Sequence, residues 1–239
     1  MRSEAFSVRF NPAMLGTAEP RWETGLGHAP RLILPEAEVL VVSPHPDDET
    51  LGAGGLIHTA ATRAHRVSLL SVTDGESAYP DWEGLNEIRR CEINRALSVL
   101  SPSPLNHKQL EIPDGQVSSH RSRLYQAIDE MASPTTLLVA PYELDGHPDH
   151  EVTGNVCLEI ARRRHLVIWR YPIWAWHHSS PEELGGQRWG RFWLDSETRR
   201  VKDLAIDCFE SQLRPSALEP IIPCHILPYF ARAYEAFLL

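Results

Sequence analysis

The chain has 239 residues, 42% of them hydrophobic, which is enough for one large domain with a buried core. Its formal net charge of −9 argues against nucleic acid or an anionic membrane as a general partner, since both select basic surfaces. No stretch approaches the ~20 continuous apolar residues that span a bilayer. "MRSEAFSVRFNPAMLG" also lacks the apolar centre of a secretory signal, so a soluble cytoplasmic protein is expected.

Residues 1–36 are punctuated by Pro and Gly and read as an irregular lead-in to a single domain over 37–239. "AEVLVVS" (37–43) predicts a buried strand, being short, β-branched and continuously apolar. "ETLGAGGLIHTAATRAH" (49–65) predicts a helix whose small residues allow close packing on a sheet. "RVSLLSVTD" (66–74) is a second buried strand. "WEGLNEIRRCEINRALSVL" (82–100) is an amphipathic helix with Leu85, Ile88, Ile93, Ala96, Leu97 and Leu100 at helical spacing. "NHKQLEI" (106–112) is a weaker strand before the turn "PDG", and residues 118–132 form another helix. "TTLLVAP" (135–141) is a buried strand, "HEVTGNVCLEIARRR" (150–164) a helix and "LVIWRYP" (166–172) a further strand. The remainder, 173–239, is rich in Pro and Trp, carries one helix near 197–210 and reads as a carboxyl-terminal lid or tail.

Buried strands alternating with helices predict an α/β fold, a Rossmann-like three-layer sandwich with a mostly parallel central sheet. Such sheets bind ligands beyond the carboxyl ends of their strands, near a topological switch point. Two polar clusters follow predicted strands and so fall at that edge. "PHPDDE" supplies His45, Asp47, Asp48 and Glu49, and "DGHPDHEVTG" supplies His147, Asp149 and His150. Either cluster alone is readable as a helix cap. Together they offer two histidines and one carboxylate with an open coordination position, as a hydrolytic metal site needs. Zinc suits this donor set, and so does iron(II). A metal-activated water still needs a base, and Asp47 is spare; the oxyanion needs a donor, and His147 is spare.

"PHPDDE" and "GHPDH", about 100 residues apart, resemble the motifs of the PIG-L/LmbE family of metal-dependent N-deacetylases. "TDGE" after the second strand, "EIRRCEINRAL" and the tail's "SQL" match the same pattern. The resemblance implies metal ligands His45, Asp48 and His150, with Asp47 as general base. It implies a protonated His147 that stabilises the oxyanion and then aids departure of the amine. It places Arg89 against the sugar, although Arg89 and Arg90 also read as helix arginines paired with Glu87 or Glu92. Glu49 and Asp149 read either as first-turn carboxylates or as groups that orient the ligands. The implied substrate is a small N-acetylglucosaminyl conjugate. The alternatives are an amidase acting on another N-acyl metabolite and a non-catalytic metal- or sugar-binding protein. A homo-oligomer is compatible with the sequence. Some family members carry a tyrosine just before the second motif; here Leu144 and Asp145 stand there, and Tyr142 is left outside the catalytic set.

Other signals carry less. "LGAGG" lacks the third glycine of a dinucleotide fingerprint, because Ile57 occupies that position. No GxSxG nucleophile elbow occurs. Cys91, Cys157, Cys208 and Cys224 are scattered without a CxxC and read as reduced thiols. "YPIWAWHH" (171–178) reads mainly as core, with aromatic faces that could stack on a sugar.

Overall fold

The computed structural model describes residues 16–79, 81–216 and 218–239. Residues 1–15, the first part of the expected lead-in, lie outside the described residues. Five strands come first: β1 (Glu38–Ser43), β2 (Val67–Ser71), β3 (Asn106–Gln109), β4 (Thr136–Pro141) and β5 (Val167–Tyr171). They pair in parallel in the order β3-β2-β1-β4-β5. Helices α2 (Asp48–Thr62), α3 (Leu85–Leu100), α4 (Arg121–Met131) and α5 (Pro148–Arg164) connect them. The chain leaves β1 toward β2 on one side and returns to β4 on the other. The switch point of the sheet is therefore the gap between β1 and β4.

Alternation along each strand explains the three layers. Val39 and Val41 of β1, with Leu137 and Val139 of β4, pack on α2, α3 and a later helix, α7 (Ser196–Ile206). Leu40, Val42, Leu138 and Ala140 point the other way onto Leu124 and Ile128 of α4 and Val156 and Ile160 of α5. Both faces are covered, which is why these strands read as continuous apolar runs.

The outer parts of the chain depart from the sequence expectation. Within the lead-in, Glu19–Leu26 forms a helix, α1, with Pro20 in its first turn and Trp22 and Leu26 buried. Residues 173–239, expected as a lid or tail, add two strands to the sheet. β7 (Tyr234–Leu238) pairs antiparallel with β5 and with β6 (Trp189–Trp193). Two short helices, α6 (Ala175–His178) and α8 (Glu210–Leu213), complete this segment. All four cysteines are free. Among the described residues, no helix is long and apolar enough to cross a membrane.

Helix α2 is kinked at Ala53, where φ is −145° and ψ is 16°. Gly52, just before the kink, lies so close to the Tyr171 ring that a Cβ would not fit. The kink frees backbone groups, and two buried side chains take them up. Glu235 accepts from the Gly55 and Leu56 N–H groups at 2.7 and 2.9 Å. Lys202 donates to the Leu51 carbonyl at 2.8 Å and to Glu235 at 2.7 Å. Lys202 and Glu235 are 2% and 4% exposed, so neither charge has water as an alternative partner. Removing one member alone, by Glu235→Gln or Lys202→Met, is expected to cost about 3–5 kcal/mol of unfolding free energy. Chemical denaturation measures this, and a loss below about 1 kcal/mol would show that the pair is not needed at the kink.

Candidate metal centre

The loop after β1 turns within five residues into α2. Asp47 is its strained point, with φ at 126°, a region disfavoured for any residue bearing a Cβ. The conformation is held from several sides. The Asp47 carbonyl accepts from Thr50 and Leu51 N–H at 3.0 and 2.8 Å. The Asp47 N–H donates to Glu49 Oε2 at 3.3 Å, and Ser43 Oγ donates to the same oxygen at 2.9 Å. Glu49 is fully buried and thus ties the loop to the end of β1. Asp48 accepts from the His45 N–H at 2.9 Å, which sets the orientation of its carboxylate.

The loop after β4 does the same for the second cluster. Gly146 takes a left-handed φ of 84°, and Pro148 opens α5. His147 is the N-cap, its Nδ1 accepting from the Asp149 N–H at 3.2 Å. His150 lies almost one turn on and is fully buried.

Because β1 and β4 are neighbours, the two loops meet. His45 Nδ1 lies 3.1 Å from His150 Nε2 and 3.3 Å from Asp48 Oδ2, and His150 Nε2 lies 3.2 Å from Asp48 Oδ2. Tetrahedral ligands about 2.0–2.1 Å from a zinc ion sit about 3.3–3.4 Å from one another, so this triangle fits a small divalent cation. The ring nitrogens of His45, His147 and His150 also converge to within 4.8 Å, as do donor atoms of His45, Asp114 and Asp149. The tight triangle has the better spacing for a single ion.

Carboxylates stand behind both triangle histidines. His150 Nδ1 lies 2.8 Å from Asp145 Oδ2. His45 Nε2 lies 3.1 Å from Asp114 Oδ1 and 3.5 Å from Asp149 Oδ2, close enough for ion pairing though not aligned as hydrogen bonds. Asp149 spends its acceptors chiefly on the Gly115 and Val117 N–H groups, at 2.8 and 3.3 Å. Asp145 and Asp114 were not among the residues singled out from the sequence. Both follow strands at the carboxyl edge, which is the one signal that marks them.

Arg89 is buried, not a solvated helix arginine. It donates to the Gly75 carbonyl at 2.9 Å, to the Pro46 carbonyl at 2.7 Å and to Asp47 Oδ2 at 3.2 Å. Arg90 pairs with Asp74 and Glu111, and Glu92 accepts from the Ser211 N–H and hydroxyl. The expected pairs with Glu87 or Glu92 are therefore not the ones formed. Tyr142 is 1% exposed and its hydroxyl has no partner among the described residues.

The electrostatics follow from burial among opposed charges. Burial opposes the charged form of His150, but Asp48 and Asp145 outweigh it and raise its pKa to about 9. His45 is likewise held well above the usual histidine value, against burial, by Asp114, Asp149 and Asp48. Burial pushes Asp47 up, and the Arg89 guanidinium only partly counters this. Asp114 falls to about 2 despite burial, because it faces His45. His147 falls to about 3, through burial and then the positive fields of His150 and His45. This runs against the expected protonated His147, and a bound cation would repel an imidazolium in the same way.

The four residues His45, Asp47, Asp48 and His147 reach a cavity of about 410 Å³. Arg89, Asp114 and Ser77 add polar walls; Ala78, Trp174 and Ile221 add apolar ones. Trp174 is thus the member of the "YPIWAWHH" run that reaches the cavity, while Trp176 is buried against Trp22 and Trp189.

The chain is similar to several known proteins. A probable N-acetyl-alpha-D-glucosaminyl L-malate deacetylase 2 of Bacillus cereus is 27% identical over 140 residues, 54% of this chain and 62% of that protein. The chain spans about three-fifths of the length of the curated relatives it matches. The crystal structure of N,N'-diacetylchitobiose deacetylase from Pyrococcus horikoshii has the same fold, with a TM-score of 0.60 at 20% identity over 91% of this chain and 86% of that one. So does the hydratase GalB from Pseudomonas putida, with a TM-score of 0.55 at 18% identity over 73% and 80% of the two chains. The fold alone therefore does not choose a reaction. The family model described as PIG-L, GlcNAc-PI de-N-acetylase, matches residues 40–161, about half of the chain and both clusters with it, and the chain belongs to that family.

Proposed function

We propose that this protein is a zinc-dependent hydrolase that removes the acetyl group from an N-acetylglucosaminyl conjugate. The observation that carries the reading is the triangle of His45 Nδ1, Asp48 Oδ2 and His150 Nε2, of which His45 and Asp48 line a cavity, with two further titratable groups on the same cavity that metal binding does not need. His45, Asp48 and His150 would hold the ion. When bound, it would supply Lewis acidity toward the amide carbonyl and acidify a water.

The chain's own residues account for the proton transfers. Asp47, raised by burial and pinned by Arg89, takes a proton from the attacking water. The water oxygen bonds to the acetyl carbon. His147 acts as a neutral donor: its Nδ1 already accepts from the Asp149 N–H, so Nε2 carries the proton and donates it in a hydrogen bond to the carbonyl oxygen as negative charge grows there. The C–N bond then breaks, Asp47 returns its proton to the amine, and acetate and the free amino sugar leave. Arg89 fixes the Asp47 carboxylate and faces the cavity, where a sugar hydroxyl would meet it. Glu49 and Asp149 hold the two loops rather than touch the reacting atoms. The relatives named for malate and chitobiose conjugates support an N-acetylglucosaminyl substrate, and the Trp174–Ile221 wall suits its apolar ring face.

Asp47→Ala is expected to keep the metal, measured by elemental analysis, and to lose about 10²–10⁴-fold in turnover. His147→Ala should behave similarly, whereas His45→Ala or His150→Ala should lose the metal. Loss of metal from Asp47→Ala with retention in Asp48→Ala would reverse the assigned roles. Metal-loaded protein that releases no acetate from a panel of N-acetylglucosaminides would favour another amide or a binding function.

Metal uptake also has a proton signature. In the metal-free site Asp48 and Asp145 raise His150 to about 9, so it is largely protonated at pH 7. Ligation needs neutral rings, so binding at pH 7 should release at least one proton, and affinity should fall as pH falls from 9 toward 6. Calorimetry in two buffers of different ionisation enthalpy reads this number directly; a value of zero would contradict the ligand set.

A further inference from the structure

Asp145 is 0% exposed and sits between β4 and the second cluster. Its Oδ2 faces His150 Nδ1 at 2.8 Å and accepts from the Trp174 N–H at 3.0 Å. Its Oδ1 accepts from the Ile173 and Ala175 N–H groups at 2.9 and 3.0 Å. Its backbone carbonyl faces His178 Nε2 at 2.8 Å. One carboxylate thus fills an anion nest made by three successive amides and uses its remaining acceptor on a histidine of the donor triangle.

These contacts fix two things at once. An ionised carboxylate only accepts, so His150 Nδ1 must carry a proton; when the ring gives up its second proton to bind a metal, the lone pair is left on Nε2, the atom that faces His45 Nδ1 and Asp48 Oδ2. The amides of 173–175 are held by the same group, and Trp174 among them lines the cavity. We propose that Asp145 is a positioning residue that couples the two functions of the site: it sets the tautomer and ring orientation of His150 and, through the 173–175 backbone, the place of the Trp174 wall. The inference rests on the reading of His150 as a metal ligand. It assigns to the start of the "YPIWAWHH" run a mechanical link to the metal centre, not only a place in the core.

Asp145→Asn provides the test. An amide keeps one acceptor oxygen and turns an NH₂ donor toward either His150 or the 173–175 amides, so one side of the coupling must fail. Zinc affinity, read by chelator competition, should fall about 10–100-fold. The visible absorption of the cobalt(II)-substituted protein should change, and at saturating metal the KM for an N-acetylglucosaminide should rise several-fold. A merely structural aspartate would lower the Tm and leave zinc affinity and the cobalt spectrum unchanged; that result overturns the proposal. If the variant does not fold, the wild-type protein decides. Long-range ¹H–¹⁵N NMR of the zinc-loaded chain should show His150 protonated at Nδ1, and protonation at Nε2 with the metal on Nδ1 overturns the proposal equally. The two readings fail separately. Wild-type protein that binds zinc but cleaves no acetamide ends the deacetylase reading and leaves the Asp145 measurements standing.

Discussion

Two imidazoles and a carboxylate, all buried, stand 3.1–3.3 Å apart with their donor atoms facing one another. Without a cation such an arrangement relies on proton sharing, and every neighbouring element is built to hold it. Burial of ionisable groups is unfavourable unless each is paired and hydrogen-bonded. Asp145 answers His150, Asp114 stands behind His45, and Arg89 answers Asp47. The raised His150 and His45 and the lowered Asp114 are the electrostatic record of that crowding. It also explains why His147, the remaining histidine, is pushed toward its neutral form.

The triangle depends in turn on one topological fact. β1 and β4 are adjacent and parallel, so loops nearly 100 residues apart end at one edge. The same edge receives Asp114 after β3, Asp145 after β4 and Trp174 after β5. The early, carboxylate-bearing turn of α2 is short because the helix kinks at Ala53. Glu235 from β7 and Lys202 from α7 satisfy the backbone on either side of that kink. The carboxyl-terminal segment therefore supports the helix that carries Asp48 from behind, as well as contributing Ile221 to the cavity.

Much of this was legible in the residue order. The central strands β1, β2 and β4 are short, nearly continuous apolar runs because helices cover both of their faces, and that pattern needs no partner to be seen. β6 and β7 were not legible. "WGRFW" includes Gly190 and Arg191 and lies at a sheet edge, and "YEAFL" contains a glutamate whose burial depends on Lys202 and on the Gly55 and Leu56 N–H groups. α1 was hidden by its mean polarity, with only Trp22 and Leu26 reaching the core. Asp114 was hidden by its surroundings, since an aspartate in "PDG" is read first as a turn residue.

By itself, the sequence determined the chemistry on offer: two His-Pro-Asp motifs, each at the end of an apolar strand, and their spacing over a βα repeat that places them on one edge. Local patterns suffice for that, because strand burial and loop position are set by nearby residues. Tertiary structure decided how those groups are held. The pairing of Asp145 with His150 and with amides 28–30 residues further on, the burial of Arg89 against Asp47, and the neutral state favoured for His147 all arise between segments distant in the chain. Orientation, protonation and cavity walls depend on distances in space, and residue order carries those only after the sheet has brought the loops together.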